Sequence, residues 1–110
     1  MGAKYRVVVR KGQALVRPPS ATAANAAADG LKVTNKTAGR IWVILPAGIF
    51  DKDNDGTVEP VSVNVIQPND FKDFRTAASP PDGFYSFPIF VEETFSFAQG
   101  NSDPEFIIEN

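Results

Sequence analysis

The segment Ile49–Pro60, IFDKDNDGTVEP, holds the densest set of side chains able to do chemistry. Asp51, Asp53 and Asp55 stand at alternate positions, Gly56 follows, and Glu59 lies three residues further on. Hard cations take several oxygen ligands, and alternate residues in a tight loop can turn their oxygens toward one centre. Asp51, Asp53, Asp55 and Gly56 match positions 1, 3, 5 and 6 of the EF-hand loop, with Thr57 offering its carbonyl and Glu59 its carboxylate. The match ends at position 12, where a bidentate Glu is required and Ser62 stands. The flanks carry Pro46, Gly48 and Pro60, which do not make the paired helices of that motif. The segment is therefore not an EF-hand. Two readings stay open. One is a weak calcium site using Asp51, Asp53, Asp55 and Glu59. The other is a solvated hairpin turn, in which Asp and Asn side chains bond to backbone amides and Gly supplies positive φ.

Elsewhere the composition excludes more chemistry than it offers. The chain has no Cys and no His. It can form no disulfide, no thiol nucleophile, no Cys/His zinc site and no Ser–His triad. Acid–base work could fall to Asp, Glu, Lys or Tyr, but no pair of them sits on a recognisable cleft motif. No catalytic residue is assigned. The leading functional class is a non-enzymatic binding or structural module, followed by a calcium-dependent module, with an enzyme using carboxylates alone last.

The 110 residues suffice for one domain with a modest core, spanning 1–110. No apolar run approaches the roughly 20 residues of a membrane-spanning helix. Neither membrane insertion nor a signal peptide is expected, which fits a cytoplasmic chain or one whose leader has been removed. Net charge is −2, but it is divided unevenly. Residues 1–40 carry eight Lys or Arg and one acid, and residues 41–110 carry three and twelve. A basic arm can serve nucleic acid or an anionic membrane. The basic residues are scattered rather than blocked, so the simpler expectation is that the two halves interleave with their charges facing, and that no nucleic acid is bound.

These side chains must be positioned by short strands. Tyr5, Val7 and Val9 alternate with Lys4, Arg6 and Arg10, giving a half-buried strand with a basic outer face. Lys11-Gly12 reads as a turn, and Ala14–Arg17 as a strand stopped by Pro18-Pro19. The alanine-rich run 21–30 suits either a helix or an extended segment. Leu31–Asn35 is a strand and Lys36–Gly39 a turn. Arg40–Leu45 is apolar on both faces, as in a central strand covered on both sides. Val61, Val63 and Val65 alternate with Ser62 and Asn64. Phe71 and Phe74 fall in a short strand or turn, and Ser79–Gly83 is a turn. Phe84–Val91 is a strand in which Pro88 implies an edge or bulge. A long loop then leads to a last strand over Phe106–Glu109. About seven or eight short strands without a convincing helix argue for an all-β, antiparallel Greek-key sandwich. The Asn35-Lys36-Thr37 triplet is also a glycosylation sequon, though such triplets arise often by chance.

Three stretches resemble the cupredoxins, the small β-sandwiches that include plastocyanin. LKVTNKTAGRIWVIL (31–45) is similar to that family's strand, Asn-containing turn and strand. PDGFYSF (81–87) resembles its Gly-x-Tyr-x-Tyr run, and GNSDPEFIIE (100–109) its closing loop and strand. An immunoglobulin-like sandwich could imitate the same order. The resemblance implies a cupredoxin-like fold and, for location alone, a periplasmic or secreted protein. It also implies a copper site of two His, one Cys and usually a Met. This chain has none of the first two, and its one Met is Met1. Trp42 falls about where the first His would stand, Phe90 near the Cys, and Phe95 and Phe97 in the ligand loop. Blue copper depends on thiolate and imidazole. Only the fold is therefore carried over, and no cofactor beyond weak calcium is expected. Trp42, Phe90, Phe95 and Phe97 are expected to cluster at one end of the sandwich. They form either a plugged core or an exposed patch that docks a protein partner or closes a homodimer.

Overall fold

Period-two alternation carries most of the chain into strands. The computed structural model describes residues 3–24, 30–51, 53, 55–77, 81–98 and 104–109. Within them lie eleven strands: β1 (Ala3–Arg10), β2 (Gln13–Arg17), β3 (Ser20–Ala24), β4 (Leu31–Asn35), β5 (Ile41–Leu45), β6 (Ser62–Ile66), β7 (Phe71–Phe74), β8 (Gly83–Ser86), β9 (Ile89–Val91), β10 (Ser96–Phe97) and β11 (Glu105–Glu109). They form two four-stranded sheets, ordered β2-β1-β4-β7 and β10-β9-β5-β6, and a three-stranded sheet, β3-β11-β8. Pairing is antiparallel except between β1 and β4 and between β3 and β11, which run parallel. The architecture is the expected all-β sandwich. The extra strands come from places where the pattern is short or broken. The stretch 84–91 divides at Phe87-Pro88, so that β8 pairs with β11 while β9 pairs with β5 and β10. Proline cannot donate to the ladder, and the strand changes sheets there. The first part of the alanine-rich run is β3; residues 25–29 lie outside the described set.

Tyr5 and Val7 from β1, Leu31 and Val33 from β4, Ile41 and Val43 from β5 and Ile89 and Val91 from β9 meet in one core. Phe106 and Ile108 of β11 close it. The Tyr5 ring packs edge-on to Phe87 at 4.9 Å and its hydroxyl donates to the Glu105 carbonyl. Phe50, just ahead of the acidic loop, lies 6.5 Å from Phe74 and 5.9 Å from Phe106. Edge-to-face rings add to what burial of their area already contributes.

Two turns fix the geometry. Lys11 and Gly12 have φ of 53° and 75°, the two positive values that a two-residue type I′ hairpin needs. Asn35, fully buried, bridges the sheets: its amide donates to the carbonyls of Gly39 at 2.8 Å and Ile66 at 3.0 Å. Its Oδ1 accepts from the Thr37 backbone N–H and lies 2.7 Å from the Thr37 hydroxyl. The sequon therefore falls on a structural amide with both N–H groups engaged inside the fold.

Two finer expectations are corrected, and on β6 a face is assigned that the alternation left open. Arg40–Leu45 is central in its sheet, but only Ile41, Val43 and Leu45 are buried; Trp42 and Ile44 are half-covered on the outer side. On β6 the valines do not face inward. Val61 and Val63 are 62% and 61% exposed, while Ser62 and Asn64 oppose the buried Leu45 and Val43. Asn64 is held there by its amide, which donates to the Ser62 hydroxyl at 3.1 Å and the Val43 carbonyl at 3.4 Å. Finally, the basic and acidic halves interleave only in part: β7 joins β4 and puts Asp73 opposite Lys32, but β1, β2 and β4 share the same sheet, which puts Lys4 opposite Lys32 and Arg6 opposite Arg17.

Candidate functional site

The outer face of the β10-β9-β5-β6 sheet is built by register. Phe97 of β10 stands opposite Phe90 of β9, Phe90 opposite Trp42 of β5, and Trp42 opposite Val65 of β6. The four side chains form one row across four strands. Beside it, Ile44 is opposite Val63, with Val61 next along the same chain. Each strand can present this row because its alternate residues are committed to the core.

Phe90 is the hub. Its ring lies 5.7 Å from Trp42, 5.4 Å from Phe95 and 5.3 Å from Phe97, all edge-on. Phe95 comes from the turn joining β9 to β10, whose Phe95 N–H donates to the Glu92 carbonyl at 3.0 Å. Phe95 has φ of 50°, an uncommon value for a bulky residue. It is nevertheless 82% exposed, and Phe97 is 45% exposed. Trp42 and Phe90 are half-buried. The four aromatic residues singled out in the sequence thus come together, on the solvent side of a sheet rather than in a plugged core.

A polar rim borders them. The Arg40 guanidinium lies 5.1 Å from the Trp42 ring centre and pairs with Glu92, Nη2 to Oε2 at 3.0 Å. The Glu92 carboxylate also accepts the Arg40 backbone N–H at 3.0 Å, and Glu93 accepts that of Ala38 at 2.7 Å. Hydrogen bonds from Arg40 hold the Glu92 carboxyl below its usual range and raise Arg40 in turn. A depressed carboxyl stabilises the rim at neutral pH, and the contribution is lost as pH falls through the folded-state value. The face thus sets a cation against a tryptophan ring, next to exposed phenylalanines. Arg40, Ile44, Val61, Val63 and Val65 were not foreseen as parts of it. The signal was present in the one-residue offset between Trp42-x-Ile44 and the core residues of β5.

The acidic loop has a different geometry. Both carboxylate oxygens of the buried Asp51 accept backbone N–H groups, from Asp55 at 3.1 Å and Gly56 at 2.9 Å. Asp55 accepts the Thr57 N–H at 2.8 Å. The Glu59 backbone N–H donates to the Phe50 carbonyl at 2.8 Å. Asp53 and Asp55 are exposed. Among the described residues no three or more of His, Cys, Asp and Glu are grouped so as to hold a metal ion. The arrangement is that of side chains capping a turn.

Copper does not fit the donor set. Trp42, Phe90, Phe95 and Phe97 present hydrocarbon and one indole N–H, with no thiolate or imidazole anywhere in the chain.

No protein-family model matches the chain, and no curated protein matches it. Solved structures do. A purple cupredoxin from Nitrosopumilus maritimus superposes with a TM-score of 0.60 at 9% identity, over 97% of this chain and 99% of its own. A mutant of amicyanin with Cu(I) gives 0.59 at 12% identity, over 98% and 82%. A dithionite-reduced auracyanin from Roseiflexus castenholzii gives 0.53 at 10%, over 99% and 100%. At such identities the likeness concerns the fold: the chain is a cupredoxin-like β-sandwich lacking the copper ligands.

Proposed function

We propose that this cupredoxin-like sandwich is a non-catalytic docking module, binding no copper and engaging a partner protein through the outer face of its β10-β9-β5-β6 sheet. The observation that carries the reading is the continuous row Phe97, Phe90, Trp42 and Val65, with the nearby Phe95 82% exposed. Isolated exposed hydrophobic residues need no explanation, but contiguous apolar surface rimmed by polar residues marks an interaction site. A second copy of this chain is the partner tested first.

Trp42 is the chain's one tryptophan and lies in the face itself, so it reports directly on contact. On dilution from millimolar to nanomolar protein, Trp42 emission should shift to the red as the face is uncovered. The shift should disappear in Phe97→Ser. Concentration-independent emission, with an unchanged response on adding an apolar-surface dye to Phe97→Ser, would remove the face from the account. Among the described residues no group of His, Cys, Asp and Glu favours calcium as a second reading of function.

A further inference from the structure

We infer that the outer face of the opposite sheet is a binding site for a compact ligand carrying two or more phosphate groups. This does not rest on the aromatic face. A cavity of about 520 Å³ opens there, and its lining includes Lys4, Arg6, Arg17, Lys32 and Thr34. Small-molecule sites fall in the range of about 300–1,000 Å³. Among the described residues none of the four cations has an ion-pair partner.

The register makes this concentration of charge costly. Lys4 is directly opposite Lys32, and Arg6 directly opposite Arg17. Like charges opposite one another in a sheet destabilise it. Two such pairs lie two residues apart on β1, on the same face. An anion seated among them turns each repulsion into two attractions, which gives the site its selectivity for multiply charged ligands. Arg6 and Arg17 offer planar forks that match phosphate oxygens in bidentate fashion, while Lys4 and Lys32 act as point charges and the Thr34 hydroxyl can donate.

The cluster is bounded, which sets ligand size. Along β1 and β2 the next outer pair is Val8 opposite Leu15, and it separates the cavity from Arg10. On the far side, Phe71 is opposite Thr34 and carries the Lys32 ammonium 4.2 Å from its ring centre, while Asp73 is opposite Lys32. A linear polyanion would need the positive track to continue past these limits, as a groove that follows a nucleic-acid backbone does. A condensed phosphate or the phosphate groups of a small ester fit within them.

The test is calorimetric titration of the intact protein with sodium tripolyphosphate at ionic strength held constant with NaCl. Saturable one-to-one binding is expected, weakened about tenfold or more in Arg6→Gln and in Arg17→Gln, since hydrogen bonds to charged groups carry that much. Lys36→Gln, outside the cavity, should bind as the wild type does. Arg17 is exposed on an edge strand, so its variant keeps the fold, which a thermal melt verifies. Sodium sulfate, with a single anionic group, should bind more weakly than tripolyphosphate. Absence of saturable binding, equal affinity for sulfate, or equal weakening in Lys36→Gln overturns the proposal. So does tighter binding of thymidine oligonucleotides with affinity rising with length, which would make the face a strand-binding surface.

Discussion

Asn35 shows how much of the fold can depend on one amide. It joins the turn after β4 to Ile66 of β6, and so holds one four-stranded sheet to the other. Asn35→Ala leaves the Ile66 carbonyl and the Thr37 N–H without these bonds. Each buried group left unsatisfied costs about 1–3 kcal/mol, so a total loss of about 2–4 kcal/mol is expected in urea unfolding. A loss below about 1 kcal/mol would mean that water replaces the amide without penalty. Asp51 is a second such residue: it caps the turn as one of the two readings of the Asp-x-Asp-x-Asp-Gly pattern had it, though the pattern did not show which carboxylate is buried. The spacing that suggests calcium is also the spacing at which one carboxylate caps two amides. Asp51→Ala should lower stability by about 1–3 kcal/mol. Addition of millimolar calcium should leave the wild-type melting temperature in place. A rise on calcium, absent in Asp53→Ala, would restore the metal reading.

Strands were legible wherever one face is buried and the alternation is uninterrupted. β1 and β4 follow their patterns nearly residue for residue. The turn at Lys11-Gly12 was legible, though not its type, because Gly after a polar residue is a local, chemical signal. What was not legible is which face looks inward. On β6 the apolar set points out, because the neighbouring register sets the half-buried Ser62 and Asn64 opposite the core residues Leu45 and Val43 and leaves Val63 beside Ile44 on an apolar outer surface. Alternation reports two different faces without saying which is the core, and a hydrophobic outer face inverts the usual rule. Val63→Lys separates the two assignments. With Val63 outside, stability should change by less than about 1 kcal/mol. Loss of about 3 kcal/mol or more would place it in the core, since an unpaired charge would then be buried. The pairing of β3 with β11 was not legible, because an alanine-rich run carries too little side-chain pattern to separate strand from helix.

As a whole molecule, the sandwich has two unlike outer faces, one aromatic and one cationic, around a single core. The aromatic residues were legible as a group because they fell where the resemblance placed copper ligands, but their exposure was not. Core and patch differ in register and curvature, which composition does not encode. Titration with Cu(II) should produce no intense thiolate-to-copper band, for want of any thiolate. The central claim is that the aromatic face docks a partner rather than stabilising the fold. Sedimentation equilibrium of wild type and Phe95→Ala, with a denaturant melt of each at low concentration, tests it most directly. The account predicts concentration-dependent association of the wild type, lost in Phe95→Ala, with monomer stability changed by less than about 1 kcal/mol. A Phe95→Ala protein destabilised by about 3–5 kcal/mol, with association unaltered or absent in both proteins, would make the ring a core residue and contradict the account.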